Sequence, residues 1–414
     1  MTQSTAESTP GPVQANERVQ LVDVLRGVAL FGVFLVNFTS FASTNIMATD
    51  EQLLSLPTAA IDLTLYDLIE WLFVDKANTL FAFLFGLGFY LQMQRLEARG
   101  VDFFRVYLRR LTVLLLLGIF HMFFVWNWDI LHLYALAGFV LLAMRELSNR
   151  DLVALGLIFG LLGRVFQELL AEFAGIGGST VETSDTASVL VRQHISQSGD
   201  YLALVKNFFD WTLIDYLSSG LIVGWLLYAL GRFLIGAWVG RHGWIALARE
   251  FLPGWRRTAR WSLPLGLIVE GMATLLAESP LLPDWPHRDF CAHVVHLLAV
   301  PVLSVGYVSA VVSLFHTPLG MRLLAPFSWS GRMALTNYLT QSLVYGYVLF
   351  GIGPGLALAG RIGTLALLAI TVVAYAAQIA LSRWWLARFA YGPAEWVWRA
   401  LTYGQLPSMR LARV

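Results

Sequence analysis

Apolar runs of about twenty residues recur along this chain of 414 residues, and nothing else in the sequence constrains its fold as strongly. A helix rising about 1.5 Å per residue needs roughly 20 residues to cross a hydrocarbon core about 30 Å thick. Ten such runs are legible, at 19–41, 76–95, 109–126, 130–146, 151–174, 212–236, 260–278, 289–315, 332–352 and 361–386. Backbone groups in lipid must be satisfied within their own segment, so these runs predict helices. Only 13% of the residues are charged, against about a quarter in soluble domains. The expectation is an all-α, polytopic integral membrane protein with about ten transmembrane helices. The stretch 59–75 is ambiguous: with Asp62, Asp67, Glu70 and Asp75 it reads as an interfacial helix, a half-span, or the start of a long bent helix.

Arginines set the orientation, because cationic loops stay on the cytoplasmic side. Arg95, Arg99, Arg105, Arg109 and Arg110 gather between the second and third runs. Further groups follow the fourth (Arg145, Arg150), the sixth (Arg232, Arg241, Arg249, Arg256, Arg257, Arg260) and the eighth (Arg322, Arg332), and Arg383, Arg388, Arg399, Arg410 and Arg413 form the tail. The intervening loops are nearly free of cations, which predicts both termini in the cytoplasm. Residues 1–17 are polar with no basic start, so they read as a disordered tail rather than a cleaved signal. Residues 18–386 form the transmembrane domain, with 175–207 as its one sizeable extracytoplasmic loop. Residues 387–414, rich in tryptophan, read as a cytoplasmic interfacial helix and tail. A single cysteine, Cys291, excludes an internal disulfide and a multi-cysteine metal site. His293 and His296 resemble a metal half-site, but no metal is expected there. The net charge of +1 says nothing about partners, and no nucleic-acid partner is expected.

Within the third run, Arg110 and His121 stand eleven residues apart. That is close to three helical turns, so both lie on one face, roughly 16 Å apart along the axis. A cation near one surface and a titratable base inside the bilayer suit a long anionic ligand threaded in from the cytoplasm. Asp23 and Arg26, three apart, can pair on one face of the first span, and Asn37 lies deeper on the same helix. Asn337, Gln341 and Tyr345 recur every four residues and give the ninth run a polar stripe. Such a stripe must face protein or a water-filled cavity. Arg164 and Glu168 read as a structural pair; Glu270, mid-span, is unexplained by its neighbours in sequence.

Six segments in order resemble the domain-of-unknown-function-418, or YeiB-like, membrane protein family. They are Val22–Ala29, Lys76–Phe89, Trp128–Ala135, Leu230–Gly236, Gly331–Ser342 and Gly392–Arg399. The likeness runs from about residue 18 to 405. That family is in turn similar to transmembrane acyltransferases, including the acyltransferase-3 family and lysosomal heparan glucosaminide acetyltransferase. Arg110 and His121 match an Arg-ten-residues-His motif of the acyltransferase-3 branch, and Asp23-Val24-Leu25-Arg26-Gly27 matches an opening shared with it. The resemblance implies transfer of an acyl group from cytoplasmic acyl-CoA, most simply acetyl-CoA, to an extracytoplasmic or lipid-linked hydroxyl or amine.

Acyl transfer needs a base, donors for the oxyanion and a grip on the carrier. His121 is the candidate base or acyl carrier, with Asp129 orienting it and Asn337 supplying an amide donor. Arg110, Arg26 and Asp23 are the candidate CoA contacts, since guanidinium suits phosphate. Asn37, Gln341, Tyr338 and Lys76 are placed with the acceptor. Each has a plainer alternative: a bonded core histidine, a helix N-cap for Asp129, snorkelling for Arg110, interfacial anchoring for Lys76, interhelical glue for the amides. The alternative function is a small-solute or proton-coupled transporter, with Glu270, His121 and Asp129 as relay groups; a non-catalytic scaffold is a third. The expected partners are the lipid bilayer of a bacterial inner membrane, acyl-CoA and the acceptor, with homo-oligomerisation left open.

Overall fold

A computed structural model describes residues 19–42, 46–175, 185–218, 220–279, 283 and 285–410. The tail expected at 1–17 lies outside the described residues. Helices carry the described chain. In order they are α1 (Gln20–Phe41), α2 (Asp50–Leu54), α3 (Ala59–Phe73), α4 (Lys76–Ala98), α5 (Phe103–Phe124) and α6 (Leu131–Ala143). Next come α7 (Asn149–Leu157), α8 (Gly163–Ala174), α9 (Thr186–Gln197), α10 (Tyr201–Trp211), α11 (Leu221–Arg241) and α12 (Leu252–Glu278). The last are α13 (Arg288–Phe315), α14 (Pro318–Leu324), α15 (Phe327–Arg332), α16 (Ala334–Leu349), α17 (Thr364–Leu386) and α18 (Pro393–Tyr403). Two π-helical segments, Ile158–Leu162 and Thr212–Ser218, follow α7 and α10.

Among the described residues seven helical segments are long and apolar enough to cross a membrane, and the chain is an all-α, polytopic integral membrane protein. The other three of the ten expected runs are helical but fall short as independent spans. Helix α6 has 13 residues and α16 has 16, about 20 and 24 Å of rise. Helix α12 has the length, at 27 residues, but Arg256, Arg257 and Arg260 interrupt its first half. The ambiguous stretch 59–75 proves to be the first arm of a bent element, Ala59–Ala98. Its bend is at Asp75, a left-handed residue with φ 60°. That conformation costs a non-glycine residue about 1–2 kcal/mol, so surrounding contacts must hold it.

Helix α1 is the hub, packed against α3, α4, α13, α15, α16 and α17. Helix α11 lies across α4 and α6, while α12 and α13 form a hairpin against α4. Gly86 on α4 and Gly236 on α11 make the α4–α11 crossing close: a Cβ at either would overlap a backbone carbonyl of the other helix. The segment 175–207, read as a loop, contains α9 and the start of α10. Gln193 bonds Gln52 and the Met47 carbonyl, and Gln197 bonds the Ala359 carbonyl, so α9 binds together two connections distant in sequence.

The C-terminal helix α18 packs on α5 and α16. Glu395 accepts from the backbone N–H groups of Leu335 (2.7 Å) and Thr336 (3.1 Å) and from the Thr336 hydroxyl (2.6 Å). It thereby caps α16 from outside that helix, where free N–H groups favour an anion. Burial nonetheless raises its carboxyl above the ordinary glutamate range, while the Thr336 and Leu335 bonds pull the other way.

Candidate functional site

Helix α6 begins in the protein interior, so its exposed N–H groups need a partner at that depth. Asp129 supplies it: Oδ2 accepts from the backbone N–H of His132 (2.9 Å) and from His132 Nδ1 (3.0 Å). Its other oxygen, Oδ1, takes His121 Nδ1 from α5 at 2.9 Å and the Tyr338 hydroxyl from α16 at 3.2 Å. The two roles weighed for Asp129, helix cap and partner of His121, are thus both filled. Gly118, one turn before His121, lets the helices approach: a Cβ there would overlap the His132 backbone nitrogen.

A carboxylate only accepts, so each imidazole donates to it through Nδ1, and in the neutral imidazole that leaves Nε2 as the acceptor. His121 Nε2 is hydrogen-bonded to the Ser342 hydroxyl at 2.9 Å, and His132 Nε2 to the Tyr216 hydroxyl at 3.1 Å. His121, Asp129, His132 and Ser342 are all at most 4% exposed. The His121 and Tyr338 rings lie 5.5 Å apart.

Two cavities end at this cluster. One, about 240 Å³, is lined by Asp23, Arg26, Arg95, Arg110, Arg332, Glu395, Arg399 and, at its deep end, Leu131 and Tyr338. Five arginines against two carboxylates favour an anion there. Arg110 stacks on Trp398 with its guanidinium 3.7 Å from the ring centre, and Arg26 bonds Asp23 at 3.2 Å. The second cavity, about 740 Å³, is lined by Asn37, Asp129, His132, Tyr216, four tryptophans, Asp75, Arg164, Glu270, His293 and His296. Tyr338 in the first cavity donates to Asp129 in the second, so a hydrogen bond links the two linings. His121 was expected in a cavity entered from both sides; it lines neither and sits behind this pair.

Other expected site residues are placed differently. Asn337 donates to the Ser330 carbonyl (3.2 Å) and the Ser382 hydroxyl (3.0 Å), and Gln341 donates to Gln378 (3.1 Å). Both fasten α16 to α15 and α17 and line neither cavity, which is the interhelical alternative. The face of α16 that meets His121 carries Tyr338 and Ser342, one residue round from the stripe. Lys76 is no interfacial anchor: it is 1% exposed and bonds Glu270 Oε1 at 2.6 Å. His296 bonds that same oxygen at 2.7 Å and Asp75 at 3.3 Å. Glu270, opaque in sequence, is therefore the centre of a buried network of ionisable side chains. Asn37 lines the larger cavity, and its amide nitrogen has no hydrogen-bond partner. Arg164 and Glu168 are 3.6 Å apart, as their spacing suggests. Among the described residues no group of three or more His, Cys, Asp or Glu is arranged to hold a metal ion.

Sequence reasoning missed His132, Tyr216 and Ser342 as site residues. The one local signal was the Asp129–His132 spacing, which places both at the start of one helix. Tyr216 and Ser342 come from segments 84 and 210 residues further along the chain.

Residues 239–405 match the family described as "Protein of unknown function (DUF418)". The chain is 31% identical over 402 residues to uncharacterized protein YxaH of Bacillus subtilis, covering 95% of this chain and 96% of that one. It is 31% identical over 403 residues to uncharacterized protein YeiB of Escherichia coli, covering 93% and 96%. A protein encoded in the amylase 3' region of Bacillus acidopullulyticus is 26% identical over 404 residues, 95% of this chain and 96% of that one. With near-complete coverage and these identities, the chain belongs to the DUF418 family.

Proposed function

We propose that this integral membrane protein is an acyltransferase of a bacterial inner membrane, moving an acyl group from cytoplasmic acyl-CoA to an extracytoplasmic or lipid-linked hydroxyl or amine. One observation carries the reading: Tyr338, which lines one cavity, bonds Asp129, which lines the other, and Asp129 also bonds the buried His121. The arginine-lined cavity lies on the side that positive residues assign to the cytoplasm. It admits the slender acyl-pantetheine arm, and the guanidinium groups at its walls suit the CoA phosphates. Rotation of Tyr338 away from Asp129 brings the thioester to His121. The larger cavity, with its tryptophans and polar groups, holds the acceptor. His121 serves as the base, held in one tautomer by Asp129.

The test is purified protein in nanodiscs incubated with acetyl-CoA. Slow hydrolysis, or transfer to an added acceptor, is expected, and His121→Ala and Arg110→Ala should each lower it by tenfold or more. Unchanged rates in both variants would remove the reading. The Lys76–Glu270–His296–Asp75 chain favours a second reading, proton-coupled transport. Proteoliposome flux without any covalent product would select that one.

A further inference from the structure

We infer that Ser342 is the nucleophile that takes the acyl group before the acceptor does, an inference that rests on the acyl-transfer reading above. Asp129, His121 and Ser342 are joined in a line: carboxylate to Nδ1 at 2.9 Å, then Nε2 to hydroxyl at 2.9 Å. This connectivity activates a serine hydroxyl, because the imidazole is poised to take its proton and the carboxylate stabilises the imidazolium that forms. A serine in a membrane helix more simply bonds the carbonyl one turn back, as Thr39 and Thr371 do here. Ser342 instead crosses to another helix, and its partner is an imidazole that Asp129 holds through Nδ1. A second buried donor packs against the same helix. The indole N–H of Trp126 has no hydrogen-bond partner, its side chain is 1% exposed, and its ring lies 4.7 Å from that of Tyr345, one turn along α16 from Ser342. A buried unpaired donor is costly, and this N–H is the candidate oxyanion donor.

The chemistry balances without any further reactant. Ser342 Oγ attacks the thioester carbonyl, His121 Nε2 takes the hydroxyl proton, the C–S bond breaks and that proton passes to sulfur, releasing CoA thiol. An acceptor hydroxyl or amine then attacks the serine ester from the side of the larger cavity. His121 takes the acceptor's proton and returns it to Ser342 Oγ as the ester C–O bond breaks. Tyr338, one turn from Ser342 on α16, is the side chain that must move to admit the thioester.

The experiment uses full-length protein in nanodiscs with radiolabelled acetyl-CoA and no acceptor, quenched in acid within milliseconds to seconds and digested for mass spectrometry. An acetyl group on the peptide containing Ser342 is expected. Ser342→Ala should abolish covalent labelling and reduce turnover at least 100-fold. Ser342→Cys should keep covalent labelling, now as a hydroxylamine-labile thioester, which a purely structural serine would not do. Wild-type turnover with label on His121, or with no label at all, overturns the inference and leaves acyl transfer standing. So does turnover of Ser342→Ala within threefold of wild type. Failure of wild-type protein to turn over acetyl-CoA overturns both.

Discussion

Asp129 orients two imidazoles with a single carboxylate, one through each oxygen. Both oxygens are taken, so replacing one by an amide nitrogen introduces a donor where donors already point. Asp129→Asn is therefore expected to reverse the tautomer of whichever histidine faces the amide, at little change in volume. Catalytic positioning of this kind is worth about 10²–10⁴ in rate. Acetyl-CoA turnover in nanodiscs should fall by that order while the size-exclusion profile stays that of wild type. Retention of full activity would mean that the carboxylate only caps α6. At this scale the sequence was informative about residue type and uninformative about company. An aspartate eight residues after an intramembrane histidine is visible in the chain; a serine 221 residues away is not.

At the scale of elements, the site exists because α6 starts late and α16 is capped from outside. Neither short helix is long enough to span a bilayer alone, and both have their N-termini satisfied by carboxylates, Asp129 and Glu395. Glu395 carries a pH consequence. Its folded carboxyl is raised above the ordinary glutamate range by burial, so its contribution to stability is full below the unfolded value, about 4.3, and is lost as pH rises through the folded value. Glu395→Gln keeps an acceptor for the Leu335 and Thr336 N–H groups without a charge to desolvate. Thermal unfolding in detergent should show a smaller loss of stability between mildly acidic and neutral pH in that variant than in wild type. An identical pH dependence in both would refute the assignment. The apolar runs predicted α1, α5 and α17 because long hydrophobic stretches admit few folds in lipid. They overstated α6 and α16 because run length counts apolar residues across a helix end that a tertiary contact makes possible.

For the whole molecule, the arrangement requires the arginine-lined cavity and the larger cavity to open on opposite sides. Single cysteines placed in a Cys291→Ser background test this. Ala187→Cys, exposed on α9, should react with a membrane-impermeant maleimide in intact cells, and Ser408→Cys, exposed beyond α18, only after permeabilisation. The reverse pattern would put the arginines outside and detach them from any cytoplasmic cofactor. What the amino-acid sequence determined by itself was the solvent: too few charges and too many long apolar runs for anything but helices in a bilayer, with arginines marking one side. It also singled out Arg110, His121 and Asp129, because ionisable groups are costly in lipid and stand out in a run of leucines. Only the tertiary structure decided their partners. Which face of α16 meets α5, whether Lys76 reaches the interface or Glu270, and how near two cavities come to each other depend on helix packing across hundreds of residues. A local period of 3.6 specifies a face but not the neighbour it will find.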